Sequence, residues 1–218
     1  MIFCRLDLYF FPILDIYTPI DRTILGYKEL FSPIRRFSMK KAAVIHDLSG
    51  FGKCSLTAAI PVLSALGVQC CPVATAVLTG QTGYPCYHCT DLTAMLPDYI
   101  DAWGKNNAHF DAIYSGFLTG AEQISQVLDF IHHFRKEHTL LLVDPVMGDD
   151  GNAYPFFTPG LLNGMKELTL EADVITPNLT EACLLADIPE DALLHCRTNT
   201  DLLKLAEDVA LRLQKKAS

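Results

Sequence analysis

The sequence predicts an α/β fold in which a mostly parallel sheet carries helices on both faces. Two observations lead to this prediction. Short apolar runs rich in β-branched residues alternate with segments of helical periodicity, and each apolar run ends abruptly in polar residues, Gly or Pro. Strands that alternate with helices form βαβ units, and helices then cover both faces of the resulting parallel sheet.

The expected strands are apolar runs whose limits are 42–46, 68–75, 111–116, 139–144 and 173–177. The run TLLLVD is apolar at consecutive positions, as in strands that are buried on both faces. Parallel strands bring their carboxyl ends to one edge of the sheet. The polar residues that close these runs are therefore expected to lie together.

The expected helices lie between and after the strands, at 55–66, 90–103, 121–138, 159–170, 179–186 and 200–215. In the segment 121–138, apolar residues recur at spacings of three and four, which places them on one buried stripe. The segment 55–66 has Ser55 as a candidate N-cap and Gly67 as a candidate stop. Helices between strands supply the crossover connections that parallel strands require.

Length and composition indicate one folded domain. The 218 residues are 50% hydrophobic and 19% charged, which is typical of a compact chain. The net charge of −8 argues against a nucleic-acid partner, whose binding surface would be basic. The eight cysteines are scattered and do not form a disulfide framework, so a reducing cytoplasm is the expected location.

Residues 1–38 differ in character from the rest of the chain. The segment begins MIFCRLDLYFFPILDIYTPI, which is aromatic and apolar but is interrupted by charged residues. It is too broken for a membrane span of about 20 apolar residues, and it lacks the basic start of a secretory signal. We expect no membrane association, and we interpret residues 1–38 as an upstream extension that precedes a natural start at Met39 and a folded domain at 39–218.

The segment HDLSGFGKCSL at 46–56 is close to a phosphate-binding P-loop but departs from it at two positions. That motif reads G-x-x-x-x-G-K-[ST]. Gly52 and Lys53 match it, whereas Asp47 replaces the first Gly and Cys54 replaces the hydroxyl residue. A carboxylate where backbone amides should meet phosphate would repel the ligand. We therefore interpret the segment as a strand-to-helix turn with another function.

Polar residues close four of the expected strands. They are His46-Asp47, Tyr114-Ser115-Gly116, Asp144-Pro145 and Thr176-Pro177-Asn178. Ligands of open parallel sheets bind beyond the carboxyl ends of the strands, so the sequence predicts one site at this edge. The polar, glycine-rich loop Gly80-Gln-Thr-Gly-Tyr84 is expected to fold over a small ligand there.

Carboxylates near two of these strand ends are candidates for binding. Asp144 and Asp149 flank a turn, and their oxygens suit Mg²⁺ or a monovalent cation; the alternative is a turn whose Asp side chain caps local amides. Asn178 and Glu181 lie three apart at a helix start, where the helix dipole favours anions; the alternative there is a capping box. Phe117 either stacks on a flat ligand ring or closes the core.

Four segments, GQTGY, YSGFLTGAEQ, DPVMGD and ITPNLTEACLL, resemble the pyridoxal kinases of the ribokinase superfamily in order and spacing. The resemblance runs from Met39 to Ala186, and a compatible helix follows. It implies an ATP-dependent kinase of vitamin B6 salvage that phosphorylates the 5′-hydroxymethyl group of pyridoxal, pyridoxine or pyridoxamine. The implied cations are Mg²⁺ and K⁺, and the implied full-length assembly is a homodimer.

The resemblance also implies which residues surround the vitamin. The matching positions are Asp47, Thr82, Tyr84 and Phe117. Many relatives have Ser within an I-Q-S-H stretch where this chain has Ile45-His46-Asp47-Leu48, so the ring contacts and the preferred vitamer stay open.

A second set of matching positions surrounds the nucleotide and its cations. Asp144, Thr176, Asn178 and Glu181 match positions around ATP. Within this region, Asp149 and Glu181 are expected to face Mg²⁺. Asp144 and Thr176 are expected to face the monovalent cation.

The resemblance ends before the last third of the family's length. Relatives continue into further strands and a G-x-G-D turn, whose Asp acts as the base and whose amides hold the transferring phosphate. Residues 187–218 contain no Gly. We therefore expect a ribokinase-like domain that is incomplete at the C-terminus, contains no catalytic base and is inactive as it stands.

Two other functions compete with this one. Hydroxymethylpyrimidine kinases of thiamine synthesis share DPVM and TPN..E, but their first strand ends in a Gly-Ser-Asp-Ser-Gly-Gly type of turn that HDLSGFGKCS does not match. A non-catalytic binding or scaffold protein is the alternative from another class, and the missing G-x-G-D turn favours it for this polypeptide.

Overall fold

The computed structural model describes residues 39–189 and 191–216. The proposed extension at 1–38 lies outside these residues, so its interpretation stays a prediction.

The central element is a six-stranded sheet with the order β3-β2-β1-β4-β5-β8. Its strands are β1 (Lys41–Ser49), β2 (Gln69–Leu78), β3 (Cys89–Asp91), β4 (Ala112–Ser115), β5 (Leu140–Val143) and β8 (Val174–Ile175). Every neighbouring pair is parallel except β2 and β3, which are antiparallel. The predicted fold class, a mostly parallel sheet, is confirmed.

A small hairpin follows β5 and consists of β6 (Gly148–Asp149) and β7 (Asn152–Ala153). Its turn residues Asp150 and Gly151 have φ angles of 49° and 78°. Two consecutive positive φ angles are characteristic of the tight hairpin turn that Asp-Gly favours. The hairpin sets the path of the chain between the strand end at Asp144 and the helix that carries Glu181.

Helices cover both faces of the sheet. They are α1 (Ser55–Ala65), α2 (Leu96–Lys105), α3 (Ala121–Phe134), α4 (Pro159–Leu170), α5 (Leu179–Leu185), α6 (Asp191–Leu194) and α7 (Asn199–Lys216). Side chains alternate between the faces of a strand. Accordingly, Val44 packs with Leu56 of α1 on one face, whereas Ile45 packs with the cluster that contains Phe130 of α3 on the other. Within the described residues, no helix combines the length and the apolar character that crossing a membrane requires.

Several boundaries differ from the sequence prediction, and the start of α2, the N-cap of α1 and the end of α3 are described here. The segment expected as a helix at 90–103 begins instead as the edge strand β3, and α2 starts at Leu96 with Pro97 in its first turn. Proline is favoured there because it lacks the N–H that a helix interior uses. The N-cap of α1 is Cys54 rather than Ser55. Helix α3 ends at Phe134, four residues early, because Arg135 is extended.

Candidate functional site

A cavity of about 490 Å³ lies at the carboxyl edge of the sheet, beside α1. Its lining combines aromatic, aliphatic and polar side chains: His46, Asp47, Ser49, Cys54, Ser55, Ala58, Ala59, Val62, Leu63, Leu78, Gln81, Thr82, Tyr114, Phe117, Asp144, Val146, Tyr154 and Phe156. Its size suits one small organic molecule. The structure therefore brings together four residues that the sequence assigned to the site: Asp47, Thr82, Phe117 and Asp144.

Asp47 lies at the end of β1 and is only 4% exposed. Its Oδ2 accepts a hydrogen bond of 2.8 Å from the Ser49 hydroxyl. The register between β1 and β2 shifts here, since His46 pairs with Ala74 but Leu48 pairs with Val77. The extra residue lies in β2, so the bulge bends that strand beside His46 and Asp47, the consecutive β1 residues that line the cavity.

The glycine-rich loop after β2 contributes Thr82 to the cavity, whereas Tyr84 does not line it. The Tyr84 ring instead contacts the Phe51 ring, at a centroid distance of 4.9 Å. Main-chain hydrogen bonds join this loop to the one after β1: Phe51 N–H donates to Thr79 O at 3.1 Å, and Gln81 N–H donates to Phe51 O at 2.9 Å. The two loops are thus one hydrogen-bonded unit beside the site.

Phe117 forms part of the aromatic wall. Its ring meets the Phe156 ring at 5.9 Å and an angle of 80°. The Thr75 hydroxyl donates to its main-chain oxygen at 2.9 Å, which fixes the backbone after β4. Because the side chain is half-buried and lines the cavity, it can pack against a flat ligand.

Asp144 and Thr176 lie at the ends of the neighbouring strands β5 and β8. Burial raises the pKa of Asp144, and a hydrogen bond from the Thr176 hydroxyl opposes this rise. The Thr176 N–H donates to Val143 O at 3.1 Å, which fixes the register of the two strand ends. The side chains assigned to the monovalent cation are therefore in contact.

Glu181 is buried, at 4% exposure, in the first turn of α5. Its carboxylate accepts from Asn178 N–H at 2.9 Å and from Met147 N–H at 3.3 Å, while Asn178 Oδ1 accepts from Glu181 N–H at 3.0 Å. The capping box considered from the sequence is therefore present. Asn178 Nδ2 also donates to Gly148 O at 2.8 Å, so the box ties α5 to the hairpin.

The environment of Glu181 is unusual for a capping carboxylate. Burial raises its pKa to about 7, and the nearby charge of Asp144 acts in the same direction, while the backbone donors partly oppose the rise. The perturbed pKa marks Glu181 as a candidate functional residue.

Tyr154 shows that the acidic residues share one neighbourhood. Burial raises the pKa of its hydroxyl, and the charges of Asp149, Glu181, Asp144 and Asp150 raise it further. Negative charge is thus concentrated around Tyr154, a lining residue of the cavity; of the four carboxylates only Asp144 lines the cavity itself, and Asp149 is exposed. Over the described part of the chain, no three acidic, His or Cys side chains are placed to hold a metal ion by themselves.

Four lining residues with aromatic or imidazole rings were given no individual role from the sequence: His46, Tyr114, Tyr154 and Phe156. Two of them, His46 and Tyr114, stand at predicted strand ends, and the sequence had placed them at this edge of the sheet without a role. Tyr154 and Phe156 follow the β6–β7 hairpin, and their place depends on its turn. No local pattern in the sequence indicates that this turn directs them to the cavity.

The profile of the phosphomethylpyrimidine kinase family matches residues 52–215. The chain belongs to the phosphomethylpyrimidine kinase family. The resemblance to pyridoxal kinases is confirmed as well: the chain is 34% identical over 143 residues to the pyridoxine/pyridoxal/pyridoxamine kinase of Bordetella avium, a match that covers 62% of this chain and 47% of that protein.

Two solved structures support this placement. A candidate phosphomethylpyrimidine kinase from Bacteroides thetaiotaomicron, solved with pyridoxal, is 44% identical, with a TM-score of 0.72, over 80% of this chain and 60% of that one. The pyridoxal kinase of Lactobacillus plantarum is 31% identical, with a TM-score of 0.68, over 80% of this chain and 60% of that one. This member of the phosphomethylpyrimidine kinase family thus spans 60% of these solved chains and about half of the Bordetella kinase.

Proposed function

We propose that the protein is an ATP-dependent kinase that phosphorylates the 5′-hydroxymethyl group of pyridoxal, pyridoxine or pyridoxamine. The observation that carries this proposal is the cavity itself, whose aromatic and polar lining adjoins a concentration of carboxylates at the same sheet edge. Phosphoryl transfer depends on positioning and charge neutralisation more than on covalent chemistry. The cavity and the carboxylates beside it would together supply both.

The ring side of the cavity is suited to a heteroaromatic alcohol. Phe117 and Phe156 offer aromatic surface, while Asp47 and Thr82 offer groups that hydrogen-bond to ring substituents. Asp47 accepts one hydrogen bond from Ser49, and an ionised carboxylate has further acceptor sites. It can therefore also accept a hydrogen bond from a ligand.

The carboxylates beside the cavity are suited to cations that accompany a nucleotide. Glu181 and Asp149 would hold Mg²⁺, and Asp144 with Thr176 would hold a monovalent cation such as K⁺. Such cations neutralise charge on the phosphates during transfer. Asn178 orients Glu181 through their reciprocal hydrogen bonds, so its part in nucleotide binding is indirect.

A second enzymatic function, hydroxymethylpyrimidine kinase, is favoured by the family to which the profile match assigns the chain. The first strand argues against it, because HDLSGFGKCS lacks the Gly-Ser-Asp-Ser-Gly-Gly type of turn. The Bacteroides relative, which is named for the pyrimidine reaction, was solved with pyridoxal. This supports a vitamin B6 compound as the ligand of this chain.

Isothermal titration of the 218-residue chain with pyridoxal, pyridoxine, pyridoxamine and hydroxymethylpyrimidine separates the two functions. We expect binding of the vitamin B6 compounds and weaker binding of the pyrimidine. Preferential binding of hydroxymethylpyrimidine would contradict the assignment. Binding of neither class would favour a scaffold role.

We propose that catalysis requires a further segment, such as the part of the solved relatives that this chain does not cover. Among the described residues, Asp47 and Asp144 are the carboxylates that line the cavity, and the resemblance assigns neither to the base. Losing a base and an anion-binding turn together removes well over a factor of about 10⁴ in rate. We therefore expect no measurable kinase activity from these 218 residues, and turnover of pyridoxal near the rate of a full-length relative would contradict this.

The location and assembly of the protein remain predictions. The proposed cytoplasmic location rests on the scattered cysteines of the sequence, which do not form a disulfide framework. The proposed homodimer of the full-length protein can be tested by measuring the molar mass of an extended chain with light scattering.

A further inference from the structure

His46 is a buried polar side chain that the proposed roles leave unexplained. It is 3% exposed, yet it forms part of the cavity wall beside Asp47. Its Nε2 has no hydrogen-bond partner among the described residues. Buried polar groups are nearly always paired, so an unpaired nitrogen in a cavity wall points to a partner that binds there.

Two contacts hold the imidazole in place. The Tyr114 ring meets it edge-on, at a centroid distance of 4.4 Å and an angle of 72°. Gly116 lies against the other side so closely that an added Cβ would be 1.8 Å from Cε1 and 2.2 Å from Nδ1. Any other residue at 116 would collide with the ring. The imidazole thus has a defined position between strands β1 and β4.

We propose that His46 is a specificity-determining residue whose imidazole hydrogen-bonds the ring hydroxyl of a hydroxypyridine bound in the cavity. This inference rests on the proposed function, because it assumes a vitamin B6 compound as the ligand. A hydroxyl donates and accepts, so it pairs with either tautomer of the ring. Rotating the imidazole by a half-turn about its Cβ–Cγ bond exchanges the positions of Nε2 and Cε1. The ring fills the same space in both orientations, so a nitrogen can stand at either position.

The protonation state of His46 agrees with this role. Burial lowers its pKa to about 4, an effect that the charge of Asp47 only partly opposes. The imidazole is therefore neutral at pH 7 and offers one donor and one acceptor. A ligand without a polar group at this point leaves the buried nitrogen unpaired and binds less tightly.

Isothermal titration of the 218-residue chain with pyridoxine and 3-deoxypyridoxine tests the proposal. We expect the wild-type chain to bind pyridoxine about 10- to 100-fold more tightly, the factor for one hydrogen bond to a buried group. H46F is expected to bind both compounds alike, because its ring carries no nitrogen. H46Q keeps a donor and an acceptor and is expected to retain most of the preference.

Thermal unfolding separates this role from a structural one. H46F is expected to keep or raise the Tm, since an apolar ring replaces an unpaired buried nitrogen. H46L serves as a second nitrogen-free variant and is expected to lose the preference in the same way. If the nitrogen-free variants still prefer pyridoxine as wild type does, the role of His46 is refuted while the proposed function stands. If the wild-type chain binds neither pyridine, both are refuted.

Discussion

Replacing Glu181 with Gln is expected to change how stability depends on pH. Burial raises the pKa of Glu181 from 4.5 to about 7 in the folded chain. Between these values the folded state binds more protons than the unfolded state. The stabilising contribution is therefore complete below pH 4.5 and is lost as pH rises through about 7.

The size of the effect follows from the pKa shift. One unit corresponds to about 1.4 kcal/mol, so the rise from 4.5 to about 7 corresponds to about 3 kcal/mol between pH 5 and pH 8. Gln resembles the protonated acid, since both have one oxygen acceptor and one donor group. Relative to wild type, E181Q should therefore gain about 3 kcal/mol in unfolding free energy between these pH values.

The comparison must be made between variants, because His46 titrates in the opposite sense. Its pKa falls from 6.5 to about 4, so the unfolded state binds more protons between these values, and stability rises with pH there. In the wild-type profile this rise offsets much of the loss from Glu181. The difference between E181Q and wild type cancels the His46 contribution.

Urea unfolding, followed by circular dichroism at pH 5, 6, 7 and 8, measures this difference. Glu122 is exposed on α3, so E122Q is a matched control for which we expect a flat difference across the series. A difference between E181Q and wild type that is equally flat would show that burial does not perturb Glu181, and its assignment as a functional residue would lose its electrostatic basis.

Three further predictions concern activity and packing. In a chain extended by the segment that relatives share, E181Q should lower kcat by about 10²- to 10³-fold with little change in pyridoxine affinity. An unchanged kcat in a steady-state assay would leave Glu181 with its capping role alone. Phe130 is fully buried, so F130A should lower the unfolding free energy by about 3–5 kcal/mol in urea titrations. A Cβ at Gly148 would lie 2.4 Å from Asn152 O, whereas a Cβ at Gly83 would meet nothing within 4 Å. G148A should therefore lower the unfolding free energy by about 1–3 kcal/mol, and G83A should leave it unchanged. An unchanged unfolding free energy for G148A would show that the hairpin yields freely.

The sequence predicted the fold class because its evidence is local and repeated. The apolar run at β5 and the apolar stripe of α3 each reflect a periodicity that the backbone geometry imposes. The segment 90–103 was predicted wrongly at its start because Thr90 and Asp91 pair with β2, a contact distant in sequence. Edge pairing of this kind leaves no periodic signal in three residues.

The sequence alone determined which residue types stand at the strand ends, since polar residues, Gly and Pro interrupt apolar runs at Asp47, Asp144 and Thr176. The tertiary structure decided how these side chains meet. It placed Tyr84 against Phe51 rather than in the cavity, and it set His46 against Gly116 with an unpaired nitrogen. Burial and neighbouring charge depend on distances between strands, which a linear pattern does not contain.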